Sequence, residues 1–516
     1  MQQVVSRAEW AAAGASALLL ILSFPNFEFS FLAWIALVPL LVAIARRPSP
    51  VNAFILGWAV GSVFFYVTCY WLTYSMIHYG GLPTVLSYLL LIPGALIIGV
   101  FHGFFTLFLA LTARRWGHKA LLFAPVFWTA LEWVRLGVTG QLWNAIGYSQ
   151  AYHERMIHAA NWGGVYAVSF LILAINSAVA LIVIKRSRWT IAVASLVVVC
   201  VVAVVMVSPF FVTIHRASIE VNPVNVVALQ PNVPMKPVKS VEETRELLER
   251  HWSMSVSGLK SLPDNNGPRL VIWPESPMNF TYAADKTFQE QLATFAKENH
   301  ASLLLNSLEP ASANGFYNSA LLINEEGRLI SQYDKIRLMP FGEYVPLPQW
   351  LPGASLITGI VGDFTPGANY TLMPFGVYRS GVFICIESAY PWIARRLTNE
   401  GADVLVNISN DGYLGPTAVM RQHLANVIFR AVENGRPVVR VTNSGLTTLI
   451  YPTGRIEKPT APFETDVRVW QIGRGFIART FYTKYGDVFV HLCAVITLMV
   501  LLAILFSRRR SFRNSR

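Results

Sequence analysis

The chain has 516 residues, 54% of them hydrophobic and only 14% charged, with a mean hydropathy of +0.45. Soluble domains carry about 25% charged residues, so this composition excludes a wholly soluble protein. The net charge of +12 could suggest nucleic acid, but its distribution excludes that reading. Basic residues gather at the ends of apolar segments: Arg7, Arg46 and Arg47, Arg114, Arg115 and Lys119, Lys185, Arg186 and Arg188, and Arg508, Arg509, Arg510, Arg513 and Arg516. Glu9 is the one acid among them, and elsewhere the two signs nearly balance. The excess is therefore a topology signal of the positive-inside kind and not a nucleic-acid footprint.

A membrane-spanning helix needs roughly 20 mostly apolar residues. Eight segments qualify in chain order: 8–24, 29–45, 52–77, 84–113, 119–136, 162–184, 189–213 and 487–507. The first reads as an uncleaved anchor, because Ser23-Phe24-Pro25-Asn26-Phe27-Glu28 is no small-residue cleavage site. Glu132 and Arg135 lie three residues apart on one helix face and read as an internal ion pair. An even number of crossings puts both termini on the side of the basic loops, which is cytoplasmic, and the long insert 214–486 on the other. The expected organisation is a membrane domain over 1–214 with seven helices, an outward-facing catalytic domain over 215–480, and a last helix with a basic tail over 481–516.

Within the insert, Val224–Leu229, Leu270–Trp273, Ser302–Leu305, Val382–Ile386, Val404–Ile408 and Val438–Val441 read as buried strands. Residues 241–260, 285–299, 391–400 and 418–434 read as helices. Asn318–Ile323 and Arg328–Gln332 form a hairpin through Asn324-Glu325-Glu326-Gly327. Strands alternating with helices predict a layered α/β domain with helices covering sheets. From Met339 to Gly367 no period holds, and Trp350, Leu351, Leu356, Ile357, Ile360 and Val361 look exposed. Such a loop is either a lid that dips into lipid or an irregular packing segment.

Of the four cysteines, Cys69, Cys200 and Cys493 lie in apolar runs and read as small hydrophobes. Cys385 alone falls in the polar insert, at the end of an apolar strand. A turn there exposes the thiol at the sheet rim and aims the Ile386 N–H at a developing oxyanion. Glu275 also ends an apolar strand, between Pro274 and Pro277, and can take the thiol proton and pass it on. Lys335 can hold negative charge on a tetrahedral intermediate. An acid, an amine and a thiol in this order, each at a strand end, suit thiol-based acyl transfer. Nothing in the sequence implies a metal or organic cofactor.

Trp273-Pro274-Glu275, the run from Asp334-Lys335 through Gly342-Glu343-Tyr344, and Cys385-Ile386-Glu387 resemble the three motifs of the nitrilase superfamily. The flanking segments, with Leu22-Ser23-Phe24-Pro25 and Gly147-Tyr148-Ser149-Gln150, resemble the apolipoprotein N-acyltransferases over essentially the whole chain. The resemblance implies a membrane α-helical bundle of about eight transmembrane helices plus a nitrilase-like α-β-β-α sandwich. It implies transfer of an acyl chain from a phospholipid to the N-terminal diacylglyceryl-cysteine of an apolipoprotein, by a ping-pong route through a Cys385 thioester. Glu275 would be general base and acid, and Lys335 with the Ile386 N–H would stabilise the oxyanion. Glu343 would orient Lys335 or the incoming amine, and Glu387 would support. The partners would be phospholipid, apolipoprotein and the membrane, with no nucleic acid. The setting would be a monomer in a bacterial inner membrane with a periplasmic catalytic domain. Family members often carry Tyr after the nucleophile, where this chain has Ile386, and Trp where it has Met235-Lys236-Pro237; both departures bear on substrate preference. The alternative is a membrane-tethered nitrilase-type amidase acting on a small soluble amide. A transporter would need ionisable residues spread through its helices, which, apart from Glu132, are missing. A binding scaffold with a decayed site conflicts with the intact triplet.

Overall fold

The computed structural model describes residues 4–214, 223–236, 239–263, 265, 267–311, 315–340, 342–344, 363–475 and 478–513. Pro237 and the apolar loop residues Trp350, Leu351, Leu356, Ile357, Ile360 and Val361 lie outside them. The chain divides into two units. One comprises Met1–Ile214, Thr417–Ala425 and Thr480–Arg516; the other comprises His215–Pro416 and Asn426–Arg479.

The first unit is helical. Among the described residues, five stretches are long and apolar enough to cross a membrane: Pro50–Thr68, Thr84–Thr139, Ala160–Ile184, Arg188–Ser208 and Val488–Phe506. The stretch Thr84–Thr139 holds two of the expected segments, as helices Thr84–Trp116 and Ala124–Thr139 joined by the 3-10 turn Gly117–Phe123. The segment at 8–24 is a helix of 16 residues, Arg7–Leu22. The segment at 29–45 breaks into a 3-10 turn, Ser30–Trp34, and a nine-residue helix, Val38–Arg46. Nine residues rise about 14 Å, half of a hydrocarbon core of about 30 Å. Pro39 fixes that helix start, because a residue without an N–H fits only in a first turn. The segment expected at 52–77 ends at Thr68 and resumes as Leu72–His78.

The tightest feature of this unit is a glycine seam. Gly57 and Gly61 on helix Pro50–Thr68 meet helix Thr84–Trp116, whose Gly99 and Gly103 meet the first helix in return. A Cβ at Gly57 would lie 2.4 Å from the His102 carbonyl oxygen, and one at Gly99 would lie 2.9 Å from that of Trp58. Two Gly-x-x-x-Gly pairs thus let the backbones touch, which is how helices gain dispersion contact where lipid offers no hydrophobic drive. Residues Thr417–Ala425 join this unit through Gln422. Its Oε1 accepts from the indole N–H groups of Trp71 (3.0 Å) and Trp143 (2.8 Å), and its Nε2 donates to the carbonyls of Thr68 (2.9 Å) and Pro25 (3.2 Å). All four amide valences are used.

The expected Glu132–Arg135 pair does not form. Glu132 Oε1 accepts from Trp128 Nε1 (2.9 Å) and from the Ile146 backbone N–H (2.9 Å), while Arg135 donates to the Trp143 carbonyl (2.7 Å). Spacing on one helix proposed the pair, but groups remote in sequence supply better-aligned partners.

The second unit is built of two sheets. Strands are β1 Val224–Gln230, β2 Arg269–Ile272, β3 Ser302–Pro310, β4 Phe316–Ile323, β5 Leu329–Asp334, β6 Leu372–Phe375, β7 Tyr378–Ile384, β8 Val404–Ser409, β9 Val438–Thr442, β10 Thr448–Ile450 and β11 Asp466–Ile472. One sheet has the order β11-β1-β2-β3-β4-β5 and the other β10-β9-β8-β7-β6. Strand alternation sends Val226, Ile272 and Leu304 into one core with Val382, Ile384, Val406 and Val439 of the second sheet. It sends Val227, Val271 and Leu303 to the other face, against Met254 and Leu259 of helix Val241–Lys260 and Leu292 of helix Lys286–Asn299. Helix Val241–Lys260 starts on a capping box: Ser240 Oγ accepts from the Glu243 N–H (3.1 Å), and Glu243 accepts from the Ser240 N–H (3.0 Å). Helix Pro391–Glu400 packs on β7 of the second sheet, with Leu397 against Gly381. The strand expected over Val382–Ile386 ends at Ile384, and Cys385–Ala389 is a 3-10 turn.

Gly61→Leu is expected to cost the helical unit its closest crossing, lowering the yield of folded protein and its thermal midpoint in detergent. Gly94→Leu, at a position with nothing within 4 Å of a Cβ, should leave both near wild type. Equal behaviour of the two variants would remove the seam as a folding determinant.

Candidate active site

The ends of four strands bring the site together. Glu275 follows β2 by three residues, Asn318 lies on β4, Lys335 follows β5 at once, and Cys385 follows β7 at once. The Lys335 backbone N–H donates to the Asn318 carbonyl at 2.8 Å, so the chain leaving β5 stays in register with β4.

Lys335 is the centre of charge. It is 1% exposed, and its Nζ donates to Glu343 at 2.9 Å and reaches Glu275 Oε1 at 3.4 Å. Burial opposes its positive charge, but Glu275 and Glu343 outweigh that cost and hold the ammonium well above the ordinary lysine range. The side-chain amide of Asn318 donates both to Glu275 Oε1 (2.9 Å) and to Glu343 Oε1 (2.7 Å). Asn306 Nδ2 donates in turn to Asn318 Oδ1 (2.7 Å), which fixes which end of the amide faces the carboxylates. The second oxygen of Glu275 accepts from the Asn410 backbone N–H (3.0 Å). The second oxygen of Glu343 accepts from the Met339 N–H (2.7 Å), inside the turn in which the Glu343 N–H donates to the Met339 carbonyl.

Cys385 has φ +52°, in the left-handed region that β-carbon sterics disfavour. Such a residue at a strand end turns its side chain away from the strand's alternation, and strain of this kind gathers at functional positions. Burial first, then Glu275, pushes the thiol up, and Lys335 only partly opposes the rise. The resting thiol is therefore protonated and needs a base. Ile386, in the same 3-10 turn, is buried.

Glu387 stands behind the site. Its Oε1 accepts from the backbone N–H groups of Ile336 (2.7 Å) and Arg337 (3.1 Å), and its Oε2 accepts from that of Ile384 (2.7 Å). Tyr333 donates its hydroxyl to the same carboxylate at 2.9 Å. One side chain thus ties the residue before Cys385 to the residue after Lys335. Burial raises its carboxyl to about 7, against the lowering effect of these donors.

The structure joins Glu275, Lys335 and Glu343 by direct contacts, couples Cys385 to all three electrostatically, and sets Glu387 as their support. Asn318, Asn410 and Tyr333 were not singled out from the sequence as parts of the site. Asn318 carried a faint signal, as an Asn beside the buried run Ser319–Ile323. Among the described residues no group of three or more His, Cys, Asp or Glu could hold a metal ion.

Two family models match the chain. Residues 16–178 match the apolipoprotein N-acyltransferase N-terminal domain, and residues 224–481 match carbon-nitrogen hydrolase. The apolipoprotein N-acyltransferase of Geobacter metallireducens is 32% identical, over 99% of this chain and 97% of its own. The chain belongs to the apolipoprotein N-acyltransferase family. The Chlorobaculum tepidum member is 28% identical over 93% of each chain, and apolipoprotein N-acyltransferase 1 of Treponema denticola is 25% identical over 95% of each. The protein is thus an acyltransferase, carried on a multi-pass helical region in the bacterial inner membrane. The carbon-nitrogen hydrolase match contains Glu275, Lys335 and Cys385 together, and the N-terminal match contains the glycine seam.

Two outcomes follow from this geometry. Asn318→Ala should slow acyl transfer by on the order of 10²-fold, because both carboxylates lose a shared donor; an unchanged rate would show the amide to be incidental. A carboxyl raised to about 7 gives stability that is full below the ordinary carboxylate range and lost as pH rises through 7. Glu387→Gln cannot ionise, so its thermal midpoint should vary less with pH between about 5 and 8 than that of wild type. Parallel profiles would contradict the assignment.

Proposed function

We propose that the protein moves an acyl chain from a phospholipid onto the α-amine of the diacylglyceryl-cysteine at an apolipoprotein's N-terminus, in two half-reactions through a Cys385 thioester. The observation that carries this reading is the half-buried Cys385, set at a strand end with φ +52° and electrostatically coupled to Glu275 and Lys335, in a chain of this family.

In the first half-reaction Glu275 takes the thiol proton as sulfur attacks the lipid ester carbonyl. The negative charge that develops on oxygen is met by the Lys335 ammonium and the Ile386 N–H. Collapse breaks the ester C–O bond, and Glu275 returns its proton to the departing lysophospholipid oxygen. In the second, the neutral α-amine attacks the thioester and loses a proton to Glu275. The C–S bond breaks, the amide forms, and the proton returns to sulfur. Glu343 holds Lys335 in place between the two steps, and Glu387 holds the backbone on either side.

An acyl chain costs about 0.8 kcal/mol per CH₂ to expose to water, which favours a site served from the bilayer. The clustering of basic residues supports eight crossings with both termini cytoplasmic. It also supports a periplasmic catalytic domain over 215–480, between a seven-helix domain over 1–214 and a last helix with a basic tail over 481–516.

With a labelled phospholipid and a diacylglyceryl lipopeptide, initial rates at several fixed concentrations of each should give parallel double-reciprocal lines, and Cys385→Ala should abolish transfer while remaining folded. Intersecting lines or residual transfer in that variant would overturn the thioester route. Turnover of a small soluble amide without lipid would favour the amidase reading.

A further inference from the structure

Behind the residues that face the reacting atoms, one buried guanidinium reaches toward both the base and the nucleophile. Arg440 lies on β9 and is 0% exposed. In the register of the second sheet, Phe383 of β7 pairs with Asn407 of β8, and Asn407 pairs with Arg440 of β9. The side chains follow the same line: Arg440 Nη1 donates to Asn407 Oδ1, and Asn407 Nδ2 donates to the Phe383 carbonyl at 3.1 Å, two residues before Cys385. The other arm of the guanidinium, Nη2, donates to Asp411 Oδ2 at 2.7 Å. Asp411 Oδ1 accepts from Ser409 Oγ at 3.1 Å. Between these two residues stands Asn410, whose backbone N–H meets Glu275 Oε2 at 3.0 Å. Asn410 Oδ1 accepts from the Gly412 N–H (3.2 Å) and from Asn443 Nδ2 (3.3 Å), so the turn 409–412 is pinned from both sides.

Burying a guanidinium and a carboxylate together is costly, and apolar side chains of equal volume often serve stability as well or better. A fork that bonds at once to the strand leading to Cys385, through Asn407, and to the turn that meets Glu275, through Asp411, has a use that apolar packing lacks. We propose that Arg440 is a positioning residue that sets the distance between the base and the nucleophile. Through Asp411 it fixes the turn that aims the Asn410 N–H at Glu275, and through Asn407 it fixes the strand that carries Cys385. The inference rests on the reading of Glu275 as base and Cys385 as nucleophile.

The test uses the full chain in detergent. It reads the thermal midpoint, the single-turnover rate of thioester formation from phospholipid, and the phospholipid KM. The double variant Arg440→Met with Asp411→Asn removes both buried charges and should retain the fold. Thioester formation should nonetheless be at least 100-fold slower, with KM within about twofold of wild type. A folded double variant that forms thioester at the wild-type rate would overturn the proposal and leave the pair a structural one. Should the double variant fail to fold, Arg440→Lys decides. It keeps the charge, but one ammonium lacks the planar fork that spans Asn407 and Asp411. A rate at least tenfold lower at unchanged KM supports positioning, and a wild-type rate overturns it. Cys385→Ala run alongside separates the two claims. Acyl transfer persisting there would sink the underlying mechanism, whereas a dead Cys385→Ala beside an active double variant would sink only the role of Arg440.

Discussion

A lysine ammonium that is 1% exposed can persist only where carboxylates meet it, and this requirement organises the whole candidate site. Lys335 draws Glu275 from the end of β2 and Glu343 from the turn that begins at Met339. Two carboxylates that close would repel each other without the cation, and without a neutral donor they would compete for it. Asn318 resolves the competition by giving one amide proton to each. The result is a pair of carboxylates with fixed orientations and a thiol whose ionisation both resist. A thiol in such surroundings reacts slowly until its proton has somewhere to go.

Backbone geometry does as much as charge. Cys385 leaves its strand in a left-handed conformation, and the two N–H groups that flank the site most closely in sequence, those of Ile384 and Ile336, end on the same Glu387 carboxylate. That carboxylate is satisfied entirely by donors, so it acts as a clamp for two segments remote in sequence. In the helical unit the corresponding constraint is steric: glycines at four-residue spacing bring two helices into backbone contact, and any side chain there would separate them.

Much of this was legible in the sequence where a residue's role depends on its near neighbours. Helices Val241–Lys260 and Pro391–Glu400 have the expected bounds, because a capping box marks the start of one and Pro391 and Gly401 bracket the other. The triplet of Glu275, Lys335 and Cys385 was readable because each stands beside an apolar run with its own motif. Roles that depend on remote partners were not readable. Asn318 looks like any polar residue on a strand, and Asn410 contributes a backbone N–H that no side-chain pattern reveals. Glu132 and Arg135 have ion-pair spacing, yet Ile146 and Trp143 take them separately. Strand β11 was missed because Asp466 and Arg468 interrupt its apolar pattern at a sheet edge, where one side is free to be polar. Among the apolar segments, hydropathy identified the runs but gave no weight to Pro39, which shortens one to nine residues.

The proposed route has Cys385 hold the acyl chain between donor and acceptor. Its most direct test is the intact mass of detergent-purified protein after incubation with phospholipid and no lipopeptide, beside Cys385→Ala. The expected result is a gain of one acyl chain, removed by hydroxylamine and absent from the variant. A folded wild-type protein that gains no mass with any phospholipid, or an adduct that survives in Cys385→Ala, would contradict it.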